Sequence, residues 1–399
     1  MRPLALRAGV VPVVVLVATT RWASADPYRL GVDAVGYTQA PQSPVGLIVL
    51  QGEDKAHPWV DAEALVWAGN GSGGQTAGVD ALTMMVRLHD PSNWAELRLG
   101  RQFETAGALR PIHFDGATAR ARAPTGTSVE AFGGVPVVTQ LAGYKSGDWV
   151  SGGRIGQSLG RDTSFGVSYL QQRDQGAASY EEAGFDFASS PVKWFDLATH
   201  GVYDLIDPGL AEAGASLAGR FGDLRPEIYA THRSPSRLIP ATSLFSALGD
   251  TPADTFGAAV RWRMYPRLDL LPMVAARDTA GDVGVDATLR ATLRLDDKGD
   301  GAVSLEGRRQ GSGPDRWTGA RLALRLPLTR RIGASTELEL VTPDDPRGRG
   351  ALWPWGLVAM HWSPIDHWDV SGAMEAAATP TSRGELNALA RLSWVWGSR

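Results

Sequence analysis

Apolar and polar residues alternate along most of this chain with a period of two. In residues 82–102, Leu82, Met84, Val86 and Leu88 share one face, while Thr83, Arg87 and His89 share the other. The turn-forming run Asp90, Pro91, Ser92 and Asn93 follows. Alternation then resumes, with Ala95, Leu97 and Leu99 opposite Glu96, Arg98 and Gln102. Side chains two apart share a face of a strand, so this stretch predicts an amphipathic antiparallel hairpin.

The same pattern is cleanest in residues 282–296. Val283, Val285, Ala287, Leu289, Ala291, Leu293 and Leu295 fall on one face, and Asp286, Thr288, Arg290, Thr292 and Arg294 on the other. A helix of 3.6 residues per turn would scatter those arginines around its circumference, so a strand is the only regular element that fits. Comparable runs occur around Phe165, Val167 and Tyr169, around Phe256 to Met264, and through Ile332, Trp368 and Leu386. No long helix is predicted anywhere.

The connections alternate as well. Short turns are expected at residues 90–93, 124–126, 160–162, 265–267, 328–330 and 363–366. Longer connections are expected near 103–115, 134–148, 173–179, 234–254, 311–316, 343–350 and 379–384. Tight turns on one side and longer loops on the other describe a transmembrane antiparallel up-and-down β-barrel, with short periplasmic turns and longer extracellular loops. A soluble β-sandwich also alternates, but its outward faces are polar, and one sandwich does not need about twenty strands. Tryptophans near strand ends, Trp59, Trp67, Trp94, Trp149, Trp353, Trp362, Trp394 and Trp396, are candidates for interfacial girdles. At about 20 residues per strand with its share of turn, the chain predicts about 18 strands, within a range of 16–22.

The amino terminus adds a location. Arg2 and Arg7 precede an apolar run from residue 8 to 20, and Ala23, Ser24 and Ala25 form a small-x-small cleavage pattern. Residues 1–25 therefore read as a secretory signal peptide and residues 26–399 as the barrel. The reading places the protein in the outer membrane of a Gram-negative bacterium, with membrane lipid and the barrel-assembly machinery as partners. The chain has no cysteine, so disulfide and thiol chemistry are not available to it. Removing Arg2, Arg7 and Arg21 from the 39 basic residues leaves 36 against 43 acidic ones, about −7. That balance argues against a nucleic-acid partner.

Motifs for covalent chemistry are weak. Residues 69–74 match G-x-G-x-x-G, but no helix start follows to hold a pyrophosphate, so a surface loop is the better reading. Residues 296–301 resemble a calcium loop in outline, yet Lys298 stands where an oxygen ligand should be, and a polar turn is preferred. His361 and His367 flank a turn without metal-binding spacing. Neither an enzyme nor a cofactor is expected. The conspicuous chemistry is arginine on the presumed inner faces: Arg98, Arg120, Arg122, Arg154, Arg261, Arg263, Arg290, Arg294, Arg308 and Arg391. Such residues can favour anions in a pore. They can equally pair with Glu96, Glu130, Asp286, Glu306, Glu337 and Glu375 to brace the wall.

One segment carries a family likeness. Residues 97–102 (Leu-Arg-Leu-Gly-Arg-Gln), Phe114 to Ala117 and the Val129-x-x-Phe132 pattern resemble the alginate-export family of outer-membrane porins, over roughly residues 80–136. The resemblance implies an 18-stranded barrel with an arginine-rich lumen that passes an anionic polysaccharide. It also implies that Arg98, Arg101, Asp115 and Arg120 belong to a constriction or to the lumen wall. The sequence as a whole predicts a porin-like channel for hydrophilic solutes, anionic ones and polysaccharide included. The alternative is a structural or adhesive barrel whose lumen is occluded, with residues 232–249 as a segment to close it.

Overall fold

A computed structural model describes residues 28–39, 45–70, 78–138, 144–145, 147–234, 252–279, 281–312, 316–346, 351–378 and 384–397. The proposed signal peptide, most of the 69–74 motif and most of residues 232–249 lie outside them. Every regular element is a strand. In chain order they are β1 (Tyr28–Gln39), β2 (Val45–His57), β3 (Val60–Asn70), β4 (Gly78–His89), β5 (Ala95–Glu104) and β6 (Ile112–Arg122). Next come β7 (Thr127–Val138), β8 (Tyr144–Lys145), β9 (Trp149–Leu159), β10 (Thr163–Asp174), β11 (Ala177–Val192) and β12 (Phe195–Asp204). They are followed by β13 (Gly209–Gly219), β14 (Leu224–Arg233), β15 (Ala253–Tyr265), β16 (Leu268–Thr279), β17 (Asp282–Arg294) and β18 (Ala302–Gln310). The last are β19 (Trp317–Pro327), β20 (Ile332–Pro343), β21 (Trp353–Trp362), β22 (Trp368–Ala377) and β23 (Glu385–Gly397).

Each strand of the wall pairs antiparallel with the next; β7 pairs with β9 in the wall and also with the two-residue β8, which stays outside it. β23 returns to β1, from Arg29↔Gly397 to Gln39↔Asn387, and closes the sheet. Of 23 strands, 22 therefore form one closed barrel. Closure pairs every edge, so no strand is left to aggregate.

Twenty-two strands stand at the upper end of the expected 16–22, above the central figure of 18 and above the 18 that the alginate-export resemblance implied. The reason is loop economy. The connection expected at residues 173–179 is a tight hairpin, because Gln175 and Gly176 both adopt positive φ, 51° and 77°, and fit a two-residue reversed turn. β16 and β17 are likewise joined across residues 280–281.

With an even number of strands, Tyr28 and Gly397 lie on the same side. All six short turns expected from sequence lie on that side, which we call the turn side. The opposite, loop side carries the longest connection, residues 234–252, between β14 and β15.

Register fixes the two faces. Val283, Val285, Leu289 and Leu293 of β17 point outward and are 45–65% exposed, as are Phe256, Leu305, Leu338 and Val358 on neighbouring strands. A continuous apolar exterior of this extent is costly in water and is stabilised by lipid. Trp59, Trp94, Trp194, Phe221, Tyr265, Trp362 and Trp396 ring the exposed turn-side rim, where an aromatic belt belongs. Two of the tryptophans proposed for such a girdle do not join it. Trp67 is buried, and both Trp67 and Trp353 share the inward parity of the lumenal residues on their strands.

The buried apolar cluster lies inside the lumen rather than within the wall. Residues 105–111, between β5 and β6, fold inward and lay Ala106 and Leu109 on Ile112, Phe114, Phe132, Val150 and Leu170. The Phe114 and Phe132 rings pack 5.8 Å apart.

Candidate functional site

The inner wall is a ladder of ion pairs. On β3 to β7, Arg87 donates to Asp61 at 3.1 Å and to Glu96 at 2.8 Å. Arg98 reaches Glu96 at 2.5 Å and Glu104 at 3.2 Å, while Arg120 donates to Glu130 at 2.7 Å. Arg154 on β9 chelates Asp186 on β11 at 2.6 and 2.9 Å. A second ladder crosses β15 to β20. Arg294 and Arg263 share Asp269, at 2.5 and 3.7 Å. Glu306 bridges Arg290 and Arg308, Arg308 extends to Glu339 at 3.2 Å, and Arg321 pairs with Glu337. Arg391 on β23 closes the seam against Asp33 on β1 at 2.7 Å.

Arg98, Arg120, Arg122, Arg154, Arg261, Arg263, Arg290 and Arg294 thus all share the inner face, as their register dictates. Arg122 and Arg261 differ from the others in forming no ion pair among the described residues. Cross-strand pairs of this kind are worth a fraction of a kcal/mol to about 1 kcal/mol each in a wet lumen, so their number matters more than any one.

Arg101 and Asp115 lie elsewhere. They pair directly across β5 and β6, and their parity is that of Leu97, Leu99, Ala117 and Ala119, which face outward. Their neighbours in register, Gln102 and Phe114, are the ones buried inside. Arg101 grips Asp115 at 2.7 and 2.9 Å and also reaches Asp80 and the Ala81 carbonyl at 3.0 Å. The two residues therefore make an outer-face clamp toward the loop side and do not line the lumen. The strand period already groups Arg101 with Leu97 and Leu99; the motif resemblance obscured it. Gly100 between them has φ +122°, and a Cβ there would sit 2.2 Å from the Met84 carbonyl oxygen, which explains a glycine at this point.

Sequence patterning missed the inward fold of residues 105–111. Arg110, at the tip of the inward 105–111 loop, donates through Nε to the buried Glu182 of β11 at 2.7 Å and stacks over Tyr180 at 4.1 Å. Gly107 lies where a Cβ would strike Asp186 and Arg154. An apolar run in a loop, Ala106, Ala108 and Leu109, was the available signal. Gly311 and Ser312, just past β18, also bond to an inward residue. Asp286 accepts hydrogen bonds from the amides of Gly311 and Ser312, at 2.9 and 3.2 Å, and from the Ser312 hydroxyl at 2.9 Å. Gly284 gives this segment room, since a Cβ there would meet the Gly311 oxygen at 1.9 Å.

The lesser motifs have structural roles. Asp296 spends its carboxylate on the amides of Gly301 and Asp300, at 2.5 and 3.0 Å, and these bonds hold its pKa below the ordinary carboxylate range. Gly69 and Asn70 end β3 and Gly78 opens β4. His367 takes φ +74° in its turn, whereas His361 lies in β21 across from Gly333.

No family model and no curated relative matches the sequence. Solved structures do match in fold. The siderophore receptor PirA from Pseudomonas aeruginosa superposes with a TM-score of 0.58 at 10% identity, over 95% of this chain and 82% of that one. The translocation pore of the P pilus usher PapC gives 0.52 at 9% identity, over 93% of this chain and 100% of that one. The shared property is a large closed antiparallel barrel of the outer-membrane kind.

Proposed function

We propose that the protein is an outer-membrane channel for passive passage of hydrophilic solutes, acting without covalent chemistry. The observation that carries this reading is the division of one closed wall into an apolar exterior and a charged interior. A circular barrel of 22 strands, spaced about 4.8 Å apart and tilted about 40°, would be about 44 Å across at the backbone. Barrels of 16–18 strands already enclose an aqueous channel, and 22 strands make a wider wall. The exported leader, the periplasmic assignment of the turn side and assembly by the barrel machinery belong to the same proposal. Passage of anionic solutes or polysaccharide rests on the local alginate-export resemblance and on the inward arginines.

Planar-bilayer recording of the refolded full chain tests the channel. Discrete conductance steps are expected, together with uptake of uncharged sugars by liposomes that contain the protein. A second reading, a structural barrel closed by its own loops, draws on the packed 105–111 segment. A folded, heat-modifiable protein that neither conducts nor admits sugars would establish that alternative.

A further inference from the structure

The ion-pair ladder leaves an imbalance at one place. A cavity of about 480 Å³ opens in the lumen wall of β2 to β6, toward the turn side. Its middle is self-neutralised: Asp61, Arg87, Glu96 and Arg98 are joined to one another by pairs of 2.5 to 3.1 Å. Its two ends are not.

At one end, Glu53 and Glu63 stand directly opposite each other on β2 and β3. Like charges in that relation are unfavourable. Compensation is partial: Arg29 stands across from Glu53 on β1, but no ion pair joins the two among the described residues. Glu53 accepts from Gln51 at 3.0 Å and has Lys55, largely exposed, at 3.8 Å; Glu63 accepts from the Thr83 hydroxyl at 3.5 Å. At the other end stands Arg122 on β6, which has no ion pair or side-chain hydrogen bond among the described residues. Its neighbour Arg120 is held by Glu130.

The cavity thus presents a carboxylate pole and a guanidinium pole, separated by a wall whose charges are already spent on each other. From β3 to β6 is three strand spacings, about 14 Å, and register sets Arg122 six residues, about 20 Å, beyond the level of Glu63, so about 24 Å separates the two backbone positions and the extended Glu and Arg side chains span about half of it. A single α-amino acid is too short to bridge such poles. A solute with a cationic and an anionic end several bonds apart, of short-peptide size, is complementary to both.

We propose that this cavity is a binding site for dipolar solutes of short-peptide size, with the ammonium end at Glu53 and Glu63 and the carboxylate end at Arg122. The site rests on the channel reading for its biological use, but it can be measured separately. Isothermal titration of the full chain refolded in detergent, at low ionic strength, would use triglycine, succinate and putrescine as probes.

Triglycine should bind at least fivefold more tightly than either probe that carries charge of one sign only. Arg122→Gln should weaken triglycine and succinate at least fivefold and leave putrescine unchanged. Glu63→Gln should weaken triglycine and putrescine and leave succinate unchanged. Arg309→Gln, on the outer face near the opposite rim, should change none of them. Triglycine binding no tighter than that of the two probes of one charge sign would overturn the site, as would an affinity indifferent to both substitutions. Conductance without triglycine binding would refute the site and leave the channel standing. Binding without conductance would do the reverse.

Discussion

Asp344, just past the end of β20, shows how a single exposed residue ties the loop-side rim together. Both of its carboxylate oxygens accept from Arg309, at 2.5 Å each. Arg309, helped by Arg316, holds its pKa below the usual 3.8. A carboxyl whose pKa is depressed by folding contributes stability above its unfolded value, and that contribution is lost as pH falls through the folded value. The wild type should therefore unfold at a slightly higher denaturant concentration than Asp344→Asn at pH 7. The gap should close below the ordinary Asp range. Unfolding midpoints of both proteins from pH 7 to pH 2 would check this, and a gap that persists at pH 2 would refute it. Such a partner was not legible in the sequence, because Arg309 and Asp344 are 35 positions apart and meet through an outer-face register that only the pairing of β18, β19 and β20 defines. Inner-face placement was legible, since Arg290 and Arg294 follow the period of two without interruption. Arg101 follows it too, and its outward direction was lost only when a motif was weighed above the period.

At the scale of one element, the 105–111 loop is held by a buried charge and a small apolar core. Leu109 and its neighbours cover Phe114 and Phe132, which would otherwise line the lumen. Glu182 is fully buried beneath the loop, and Arg110 compensates its charge. Removing one member of a buried pair costs about 3–5 kcal/mol, because the other is left without compensation. Arg110→Ala should therefore lift the loop and expose Glu182 to lumenal water rather than bury it unpaired. Single-channel recordings should show a larger and noisier open current. Adding Glu182→Leu should restore a quiet, smaller current by removing the buried charge. Equal currents in all three proteins would show that the loop does not narrow the conducting path. The inward fold of this loop escaped sequence reading because periodicity reports on strands, whereas a loop's destination depends on whether the wall it meets is apolar. Here that wall is assembled from β6, β7, β9 and β10.

For the whole barrel, the distribution of charge matters more than its amount. An arginine-rich lumen suggests strong anion preference, yet most inward guanidinium groups among the described residues pair with a carboxylate. The net field is then a small difference between large opposing sets, and it can be shifted from either side. Glu306 is the sharpest point at which to test this, because one nearly buried carboxylate serves both Arg290 and Arg308. Glu306→Gln would leave two guanidinium groups in the lumen with one carboxylate, Glu339, still on Arg308. Both arginines keep partial access to water, so the loss of stability should be modest, about 1 kcal/mol. The electrical effect should be larger. Reversal potentials in a potassium chloride gradient should move toward chloride in Glu306→Gln and toward potassium in Arg308→Gln. Both shifts should shrink at molar salt, where the screening length falls to about 3 Å. Unmoved potentials at low salt would mean that ions pass far from this wall, and the solute path would then have to follow the opposite side, along β2 to β6.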